Sequence, residues 1–503
     1  NNDNNISDKI LSLIVGNNHK NLTNVNLNSE NTFSLKLSKK FKISELNLLS
    51  NIKINSAKYK FTSPVLKSYL PKFNDLIEIK NHDVTLTYNN NKLAIQGRGN
   101  FSIDENNEII DYKISKLKES YYVESNVQIN NNPILINFLE YKKKDKVNSK
   151  LFFKGFIDKD NNISLEDVLF KENKNTFIIK DLNFNNRFKV NSVKVIDLNF
   201  TNKDKKKNIV KLRKVKKKYE LNGDLFYASN LIDQILDSND DKDESSIFND
   251  LNTNVEVKID KIYIDKVSYI TNLTGNFVLV QNKITELNLK SDFLNGKKLT
   301  LTITTNKNNE KITTLFTDEP KILINRYKFI KGFDEGTLDF QSIKKDDISK
   351  SVLVIDNFKV KEVPVLAKLL TLASLQGMAD LLTGEGIRFT DFEMIFSNKG
   401  TLMTIDEIYA IGPAISIMMD GYIEKNKLIS LRGTLVPATT INRTISSIPV
   451  IGNILVGKKA GEGVFGVSFK IKGPPKDLKT SVNPVKTLTP RFITRTLEKI
   501  KKN

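Results

Sequence analysis

The feature that most constrains this chain is the alternation of apolar and polar residues, which recurs along most of its 503 residues. Val84-Thr85-Leu86-Thr87-Tyr88 alternates, turns at Asn89-Asn90-Asn91 and returns as Leu93-Ala94-Ile95-Gln96-Gly97. A period of two is typical of β-strands, because successive side chains point to opposite faces of a sheet. The pattern predicts a hairpin here and a long β-meander overall.

Further strands are predicted wherever this unit recurs, at residues 122–129, 149–156, 176–184, 193–200, 255–264, 274–280, 284–289 and 299–304. Glycines lie within or beside these strands, where they indicate bulges or bends: Gly97, Gly155, Gly223, Gly275, Gly421 and Gly433. A strongly curved antiparallel sheet of many strands can form a barrel, a sandwich or an open groove.

Apolar residues at helical spacing are confined to a few segments. Residues 229–236 predict a short helix, and the acidic tract that follows predicts a flexible loop at 237–250. We therefore divide the chain into a β-rich segment, 1–236, the loop, and a C-terminal region, 251–503. Within that region, 363–382 and 441–456 are predicted to be apolar helical inserts.

The net charge is +20, from 78 Lys and Arg against 58 Asp and Glu, which favours a nucleic acid or an anionic lipid surface as partner. Arg is scarce and Trp is absent, whereas nucleic-acid binding favours both Arg and aromatic stacking. We therefore predict no nucleic-acid partner. The basic run at 205–218 is interpreted as an exposed hairpin, with a membrane-facing patch as the alternative.

The C-terminal residues 488–502 predict a basic amphipathic helix, which can lie on a membrane surface or pack as a terminal helix with solvated lysines. Its candidate membrane-contact residues are Arg491, Phe492, Ile493, Arg495, Leu497, Lys499 and Ile500. No run of about 18 apolar residues is present, so no transmembrane helix is predicted within these residues.

Residues that could carry catalysis are few. The chain has no cysteine and only two histidines, His19 and His82, each interpreted as an exposed, solvated side chain in a loop or at a strand edge. Residues 452–459 resemble a phosphate-binding loop but end in Lys459 where Ser or Thr would bind magnesium. Residues 158–163 are interpreted as a polar hairpin turn, not a calcium loop. We predict no enzymatic activity, no metal site and no cofactor.

Several motifs in the last 150 residues or so resemble one family. They are the segments 369–375 and 381–389, Ala410-Ile411-Gly412-Pro413-Ala414, Leu431-Arg432-Gly433-Thr434-Leu435-Val436-Pro437-Ala438, Ile448-Pro449-Val450-Ile451-Gly452 and Val482-Asn483-Pro484. Their order and spacing are similar to the AsmA-like C-terminal region of YhdP-type proteins. Lys458-Lys459-Ala460 departs from the family, whose members tend to be glycine-rich at this point.

The resemblance implies a mainly β fold, in which a long curved antiparallel sheet forms an open, apolar-lined groove with a few apolar helices near the C-terminal end. It also implies bridge-like transport of phospholipid between the inner and outer membranes of a Gram-negative envelope. The expected location is the periplasm, with an inner-membrane anchor helix upstream of these residues. The expected partners are phospholipid, both membrane surfaces and envelope proteins.

Strand parity identifies the residues that would line such a groove, because one face of every strand must be apolar. The candidates are Phe392, Met394, Phe396, Ile415, Ile417, Met419, Ile429, Leu431, Leu435, Phe465, Val467, Phe469 and Ile471. Each of these residues would equally suit ordinary core packing. The alternative function is therefore a structural or adhesive β-repeat protein of the envelope without a lipid ligand.

Overall fold

A computed structural model describes residues 20–40, 43–89, 92–236, 251–327, 332–361, 386–437, 466–475 and 477–485. These residues are mainly in β-strands: 26 strands belong to one sheet and two form a separate ribbon. The chain divides into two compact units, Asn1–Ile284 and Thr285–Asn503.

The strands of the first unit are β1 (Leu22–Leu37), β2 (Ile43–Lys60), β3 (Leu76–Asn89), β4 (Lys92–Ser102), β5 (Asn107–Leu117), β6 (Ser120–Gln128), β7 (Ile134–Ile136), β8 (Tyr141–Lys143), β9 (Ser149–Ile157), β10 (Ile163–Glu172), β11 (Asn175–Phe184), β12 (Val190–Ser192), β13 (Val195–Thr201), β14 (Lys207–Val215), β15 (Lys218–Tyr227), β16 (Thr253–Tyr263) and β17 (Tyr269–Val280). Its helices are α1 (Pro64–Tyr69) and α2 (Ser229–Leu236). β18 (Lys283–Asp292) spans the division between the units.

The first unit is an antiparallel meander in which nearly every strand pairs with the next one along the chain. β7 and β8 leave the main sheet and pair with each other, so β6 pairs with β9. β15 and β16 are parallel, and the connection between them contains α2. A crossover of this kind is what a parallel pair requires, since a tight hairpin turn can join only antiparallel strands.

Two aromatic rings show that the sheet of the first unit is strongly curved. Phe61 directly follows β2, and Phe188 lies in the loop after β11; their ring centroids are 6.0 Å apart. Seven strand-to-strand steps separate β2 from β11, which would place them about 34 Å apart in a flat sheet. The rings can meet only because the sheet coils back toward itself, as the accumulated right-handed twist favours.

The elements of the second unit are β19 (Lys298–Thr305), β20 (Lys311–Thr317), α3 (Pro320–Tyr327), β21 (Phe333–Lys345), β22 (Ile348–Val360), β23 (Ile387–Lys399), β24 (Leu402–Ile411), β25 (Ile415–Glu424), β26 (Leu428–Pro437), β27 (Gly466–Gly473) and β28 (Lys479–Val485). Each strand from β19 to β28 is antiparallel to the next. Helix α3 is tied to this sheet by Lys321, whose ammonium group lies 2.9 Å from Asp334 on β21; Lys361 lies 3.1 Å from the same carboxylate.

The structure confirms the predicted fold class. Within the described ranges β1 pairs only with β2 and β28 only with β27, so the sheet is long, mostly antiparallel and open. The predicted helix at 229–236 is confirmed as α2, and the basic run at 205–218 lies in the β14–β15 hairpin. The turn at 158–163 is also confirmed, with the Asp158 carboxylate accepting the backbone N–H groups of Asp160 and Asn162.

Several predicted segments lie outside the described residues: the acidic loop 237–250, the inserts 363–382 and 441–456, and the terminal helix 488–502. The strands on either side of the two inserts are described. β22 and β26 both end at the edge of the sheet where β23 and β27 begin, so both inserts connect strand ends at one edge.

Candidate functional site

One face of the second unit's sheet carries four rows of residues, in register with one another, that run across the strands from β21. Cross-strand partners define them. Row 1 is Leu338, Ile355, Phe392, Ala410, Ile417, Leu435, Val467 and Pro484; row 2 is Phe340, Leu353, Met394, Ile408, Met419, Gly433, Phe469 and Val482; row 3 is Ser342, Ser351, Phe396, Ile405, Gly421, Leu431, Ile471 and Thr480; row 4 is Lys344, Ser349, Asn398, Met403, Ile423 and Ile429. We call rows 1 to 4 together the apolar face.

Rows 1 to 3 contain no ionisable side chain, and their polar positions are Ser342, Ser351 and Thr480. Row 4 is polar where it begins, at Lys344, Ser349 and Asn398, and is apolar from β24 onward. Each of rows 1 to 3 therefore offers a path without charge that is perpendicular to the strands.

Burial varies across the apolar face. Many side chains of rows 1 to 3 are fully enclosed, among them Ile355, Met394 and Leu435 at 1% exposure, as is the neighbouring Ile415 at 0%. Ile417, Met419 and Leu431 are only partly buried and pack against this cluster. The face thus has a closed part that stabilises the sheet and a part that remains accessible to another molecule.

On this face, a glycine leaves space that the aromatic ring of its cross-strand partner occupies. Gly433 lies opposite Phe469 in the register, and the Phe469 ring fills the space above it, as does the Met419 side chain. A side chain at position 433 would collide with both groups. Gly97 has the same relation to Tyr112 in the first unit. The glycines predicted as bends therefore also make room for large neighbours across the strand.

The opposite face of the same strands is largely polar. Asp420 and Arg432 are cross-strand partners there and form an ion pair at 2.8 Å. Tyr409 and Val436 are the exception, because both are buried in a small separate cluster on this face. The contrast between the faces is what allows the strands to present an apolar surface on one side and remain hydrated on the other.

In the first unit, residues 129–148 form an insert that covers part of the equivalent apolar face. Tyr141 from β8 is 1% exposed and packs edge-on against Phe170, Phe177 and Phe200, with ring centroids 6.3, 4.8 and 5.7 Å away. Its hydroxyl donates to the Glu172 carboxylate at 2.8 Å. Burial, together with this bond, raises the pKa of Tyr141 far above its usual value. We call residues 129–148 the 129–148 insert.

Two buried charges fix the base of the 129–148 insert. The Glu108 carboxylate accepts the backbone N–H groups of Asn130, Asn131 and Asn132 at 2.7–2.8 Å. The Lys143 ammonium group donates to three backbone carbonyls, those of Asn130, Asn132 and Lys144, at 2.8–3.1 Å. All three donors of this buried ammonium group therefore have acceptors, although burial lowers the pKa of Lys143.

His82 was expected to be exposed, and this prediction is wrong. The side chain is 2% exposed on β3, where it lies at the bulge between Lys80 and Asp83, on the buried face of the first unit's sheet beside Gly99 and Tyr112. Burial lowers the pKa of His82. His82 has the same parity as Val84 and Leu86, so the alternation already placed it on the inner face; the error was to infer exposure from the polar character of histidine.

The structure brings together twelve of the thirteen predicted groove residues on the apolar face. Phe392, Met394, Phe396, Ile417, Met419, Ile429, Leu431, Leu435, Val467, Phe469 and Ile471 lie in the rows, and Ile415 shares their face at the start of β25. Phe465 lies outside the described residues, as do the predicted membrane-contact residues Arg491, Phe492, Ile493, Arg495, Leu497, Lys499 and Ile500.

β24 also contributes to the apolar face, although none of its residues was among the predicted groove residues. Met403, Ile405, Ile408 and Ala410 all lie on the apolar face, but a bulge between Ile405 and Ile408 reverses the parity midway. The adjacent acidic pair Asp406-Glu407 interrupts the alternation and is the signal that could have revealed this bulge.

The described part of the chain offers neither a membrane-spanning helix nor a cluster of metal ligands. No helix there is long and apolar enough to span a membrane. No group of three Asp, Glu or His side chains is placed there to hold a metal ion. Comparison with protein-family models and with curated proteins returned no match to this chain.

Proposed function

We propose that this chain binds phospholipid, with acyl chains lying along the apolar face and headgroups in water. The observation that carries the proposal is the continuity of rows 1 to 3 across successive strands without a charged side chain. From β21 to β27 a row measures about 29 Å, at about 4.8 Å per strand. That is about twice the ~15 Å depth of one bilayer leaflet, so a row is long enough for an extended acyl chain.

The proposed activity is transfer of lipid and no chemical reaction. An acyl chain that slides along a row stays in contact with apolar side chains, which avoids exposing each CH₂ group to water at about 0.8 kcal/mol. Because every row runs perpendicular to the strands, an acyl chain that moves along a row passes from one strand of the sheet to the next. An open sheet supports this, because headgroups need not enter the apolar interior.

The resemblance to the AsmA-like, YhdP-type family supplies the setting of the proposal. In that setting the chain works in the periplasm of a Gram-negative bacterium, held by an inner-membrane helix outside these residues. It carries phospholipid between the inner and outer membranes and works with other envelope proteins.

The first experiment extracts the purified chain with organic solvent and identifies the lipids by mass spectrometry. Bound phospholipid, together with uptake of a fluorescent phospholipid, is the expected result. A lipid-free chain that takes up no phospholipid would contradict the proposal and favour the alternative, a β-repeat protein without a ligand.

The second experiment places charges on the apolar face. Ile417 and Leu431 are suitable because both are only partly buried, so the Ile417→Asp, Leu431→Asp variant keeps the enclosed part of the core. Burying an unpaired carboxylate against an acyl chain costs several kcal/mol, so uptake and transfer between vesicles should be lost. Tyr422→Asp with Thr434→Asp is the matched control, since these residues lie on the opposite face of the same two strands.

Outer-membrane integrity in cells at matched protein levels gives the third readout. The apolar-face variant should behave as a loss of function and the control as wild type. A folded apolar-face variant, with unchanged melting and wild-type transfer, would show that these side chains do not line the path.

A further inference from the structure

The hairpin formed by β1 and β2 projects beyond the strand next to it. β2 pairs with β3 only as far as the Asn47–Asn89 partners, whereas β1 and β2 remain paired to Leu37 and Ile43. The three further pairs give the projection a length of roughly 10 Å before the turn, at about 3.3 Å per residue. We call residues 33–40 and 43–46 the hairpin tip.

The hairpin tip exposes large apolar side chains. Phe33, Leu35, Leu37 and Ile43 are 66%, 44%, 54% and 60% exposed. Phe33, Leu35 and Leu37 alternate along β1 and so share one face, and Ile43 is the partner of Leu37. An exposed apolar cluster of this kind marks an interaction surface.

A second hairpin end on the same edge has the same character. Consecutive antiparallel strands alternate in direction, so the β1–β2, β3–β4 and β5–β6 turns all leave from one edge of the sheet. The β5–β6 end exposes Leu117 and Tyr121 by 51% and 39%. The apolar surface is therefore a property of the edge and not of one hairpin.

The same edge is positively charged. Its described residues at these three hairpin ends include six lysines and two glutamates: Lys36, Lys39, Lys40, Lys92, Lys116 and Lys118 against Glu45 and Glu119. Glu45 is already paired with Lys36 at 2.7 Å, and Glu119 lies 3.6 Å from Lys159. The surface that complements this edge must offer both negative charge and an apolar interior.

We propose that this edge docks on an anionic lipid bilayer, with the hairpin tip inserted among the headgroups. The projection of roughly 10 Å matches the 5–10 Å depth at which interfacial elements bury apolar side chains. The lysines around the tip then lie at the level of the anionic headgroups, where they are attracted most strongly. The inference is independent of lipid carriage by the apolar face, because the two surfaces involve different residues.

The chain has no cysteine, so a single one can report on the environment of the hairpin tip. Leu37→Cys is labelled with an environment-sensitive fluorophore and mixed with vesicles of phosphatidylcholine and phosphatidylglycerol. We expect a blue shift and a gain in intensity at Leu37, and none at the control Val267→Cys, which is 81% exposed in the loop between β16 and β17. An unchanged spectrum at Leu37 would overturn the proposal.

Flotation with the same vesicles measures the contribution of each part of the tip. Replacing Phe33, Leu35, Leu37 and Ile43 by Ser should abolish flotation, whereas Val267→Ser with Leu294→Ser removes exposed apolar residues elsewhere and should leave it unchanged. Lys39→Gln with Lys40→Gln should weaken binding roughly 25-fold, and salt should weaken binding of the wild type.

The remaining outcomes separate the bilayer from other partners. Equal flotation with pure phosphatidylcholine, or an unaffected Ser variant, would contradict docking on an anionic bilayer. A doubling of the molecular mass without vesicles, lost in the Ser variant, would assign the tip to a second copy of the chain instead. Normal lipid uptake by a Ser variant that no longer floats would separate this inference from the proposed function.

Discussion

Substitutions of Tyr141 can measure separately how much its hydrogen bond and its ring contribute to the stability of the 129–148 insert. Tyr141→Phe removes only the hydrogen bond to Glu172 and keeps the ring among three phenylalanines. Hydrogen bonds to charged groups contribute about 1.5–3 kcal/mol. Because Glu172 keeps the amide of Asn175 as a donor, we expect about 1.5 kcal/mol, the lower end of that range.

Tyr141→Ala also removes the ring and should cost about 3–5 kcal/mol, as aromatic truncations in a core do. Hydrogen exchange followed by mass spectrometry measures these losses of stability within the insert. The reporting groups are the backbone N–H groups of Asn130, Asn131 and Asn132, which donate to the Glu108 carboxylate. At 1.36 kcal/mol per factor of ten, exchange should accelerate about 10-fold in the Phe variant and more than 100-fold in the Ala variant.

Phe138→Ala is the matched control, because it removes an aromatic ring from the same insert at a position that is 37% exposed. It should leave the exchange of these amides nearly unchanged. Equal acceleration in the Phe138 and Tyr141 variants would refute the reasoning, since burial of the ring would then not matter. Unchanged exchange in Tyr141→Ala would show that the insert does not depend on these contacts.

Three further predictions follow from single residues. Hydrogen bonds from Lys321 and Lys361 lower the pKa of Asp334 to about 2. The stability that the Asp334 carboxylate contributes is therefore complete above about pH 4 and is lost as the pH falls toward 2. Asp334→Asn should lower the free energy of unfolding by about 1 kcal/mol at pH 7 but not at pH 2, which melting curves recorded at both pH values will show. Burial lowers the pKa of His82, so the unfolded chain binds a proton at this residue more readily than the folded one. The stability of the protein should therefore fall as the pH drops below about 6.5, and in His82→Leu the melting temperature should depend less on pH in this range. Gly433→Val should lower the free energy of unfolding by about 1–3 kcal/mol, measured by denaturant titration, because Phe469 fills the space above the backbone.

Local alternation was sufficient to predict the fold class and about half of the strands, because a strand with one buried face repeats its apolar residues with a period of two. It also placed Ile417, Met419 and Leu435 on one face, since strand parity and antiparallel pairing together fix the register. The part of the apolar face on β23, β25, β26 and β27 could therefore be predicted from the sequence.

Features that depend on irregular or distant pairing could not be predicted in this way. The bulges beside His82 and Ile408 change parity at a single residue, and the parallel pairing of β15 with β16 depends on a crossover. The position of Tyr141 over the first unit's sheet depends on contacts between residues far apart in the chain. Periodicity carries no information about such contacts, because it reports only which face a side chain takes.

The proposal that the apolar face carries acyl chains is tested most directly by photo-cross-linking within the purified chain. A photoreactive phenylalanine analogue is introduced at Leu431, which lies in row 3, or at Arg432, which points to the opposite face of the same strand. After illumination with bound phospholipid, mass spectrometry should detect a covalent lipid adduct at position 431 and none at 432. Equal adducts at both positions, or an adduct only at 432, would contradict the account.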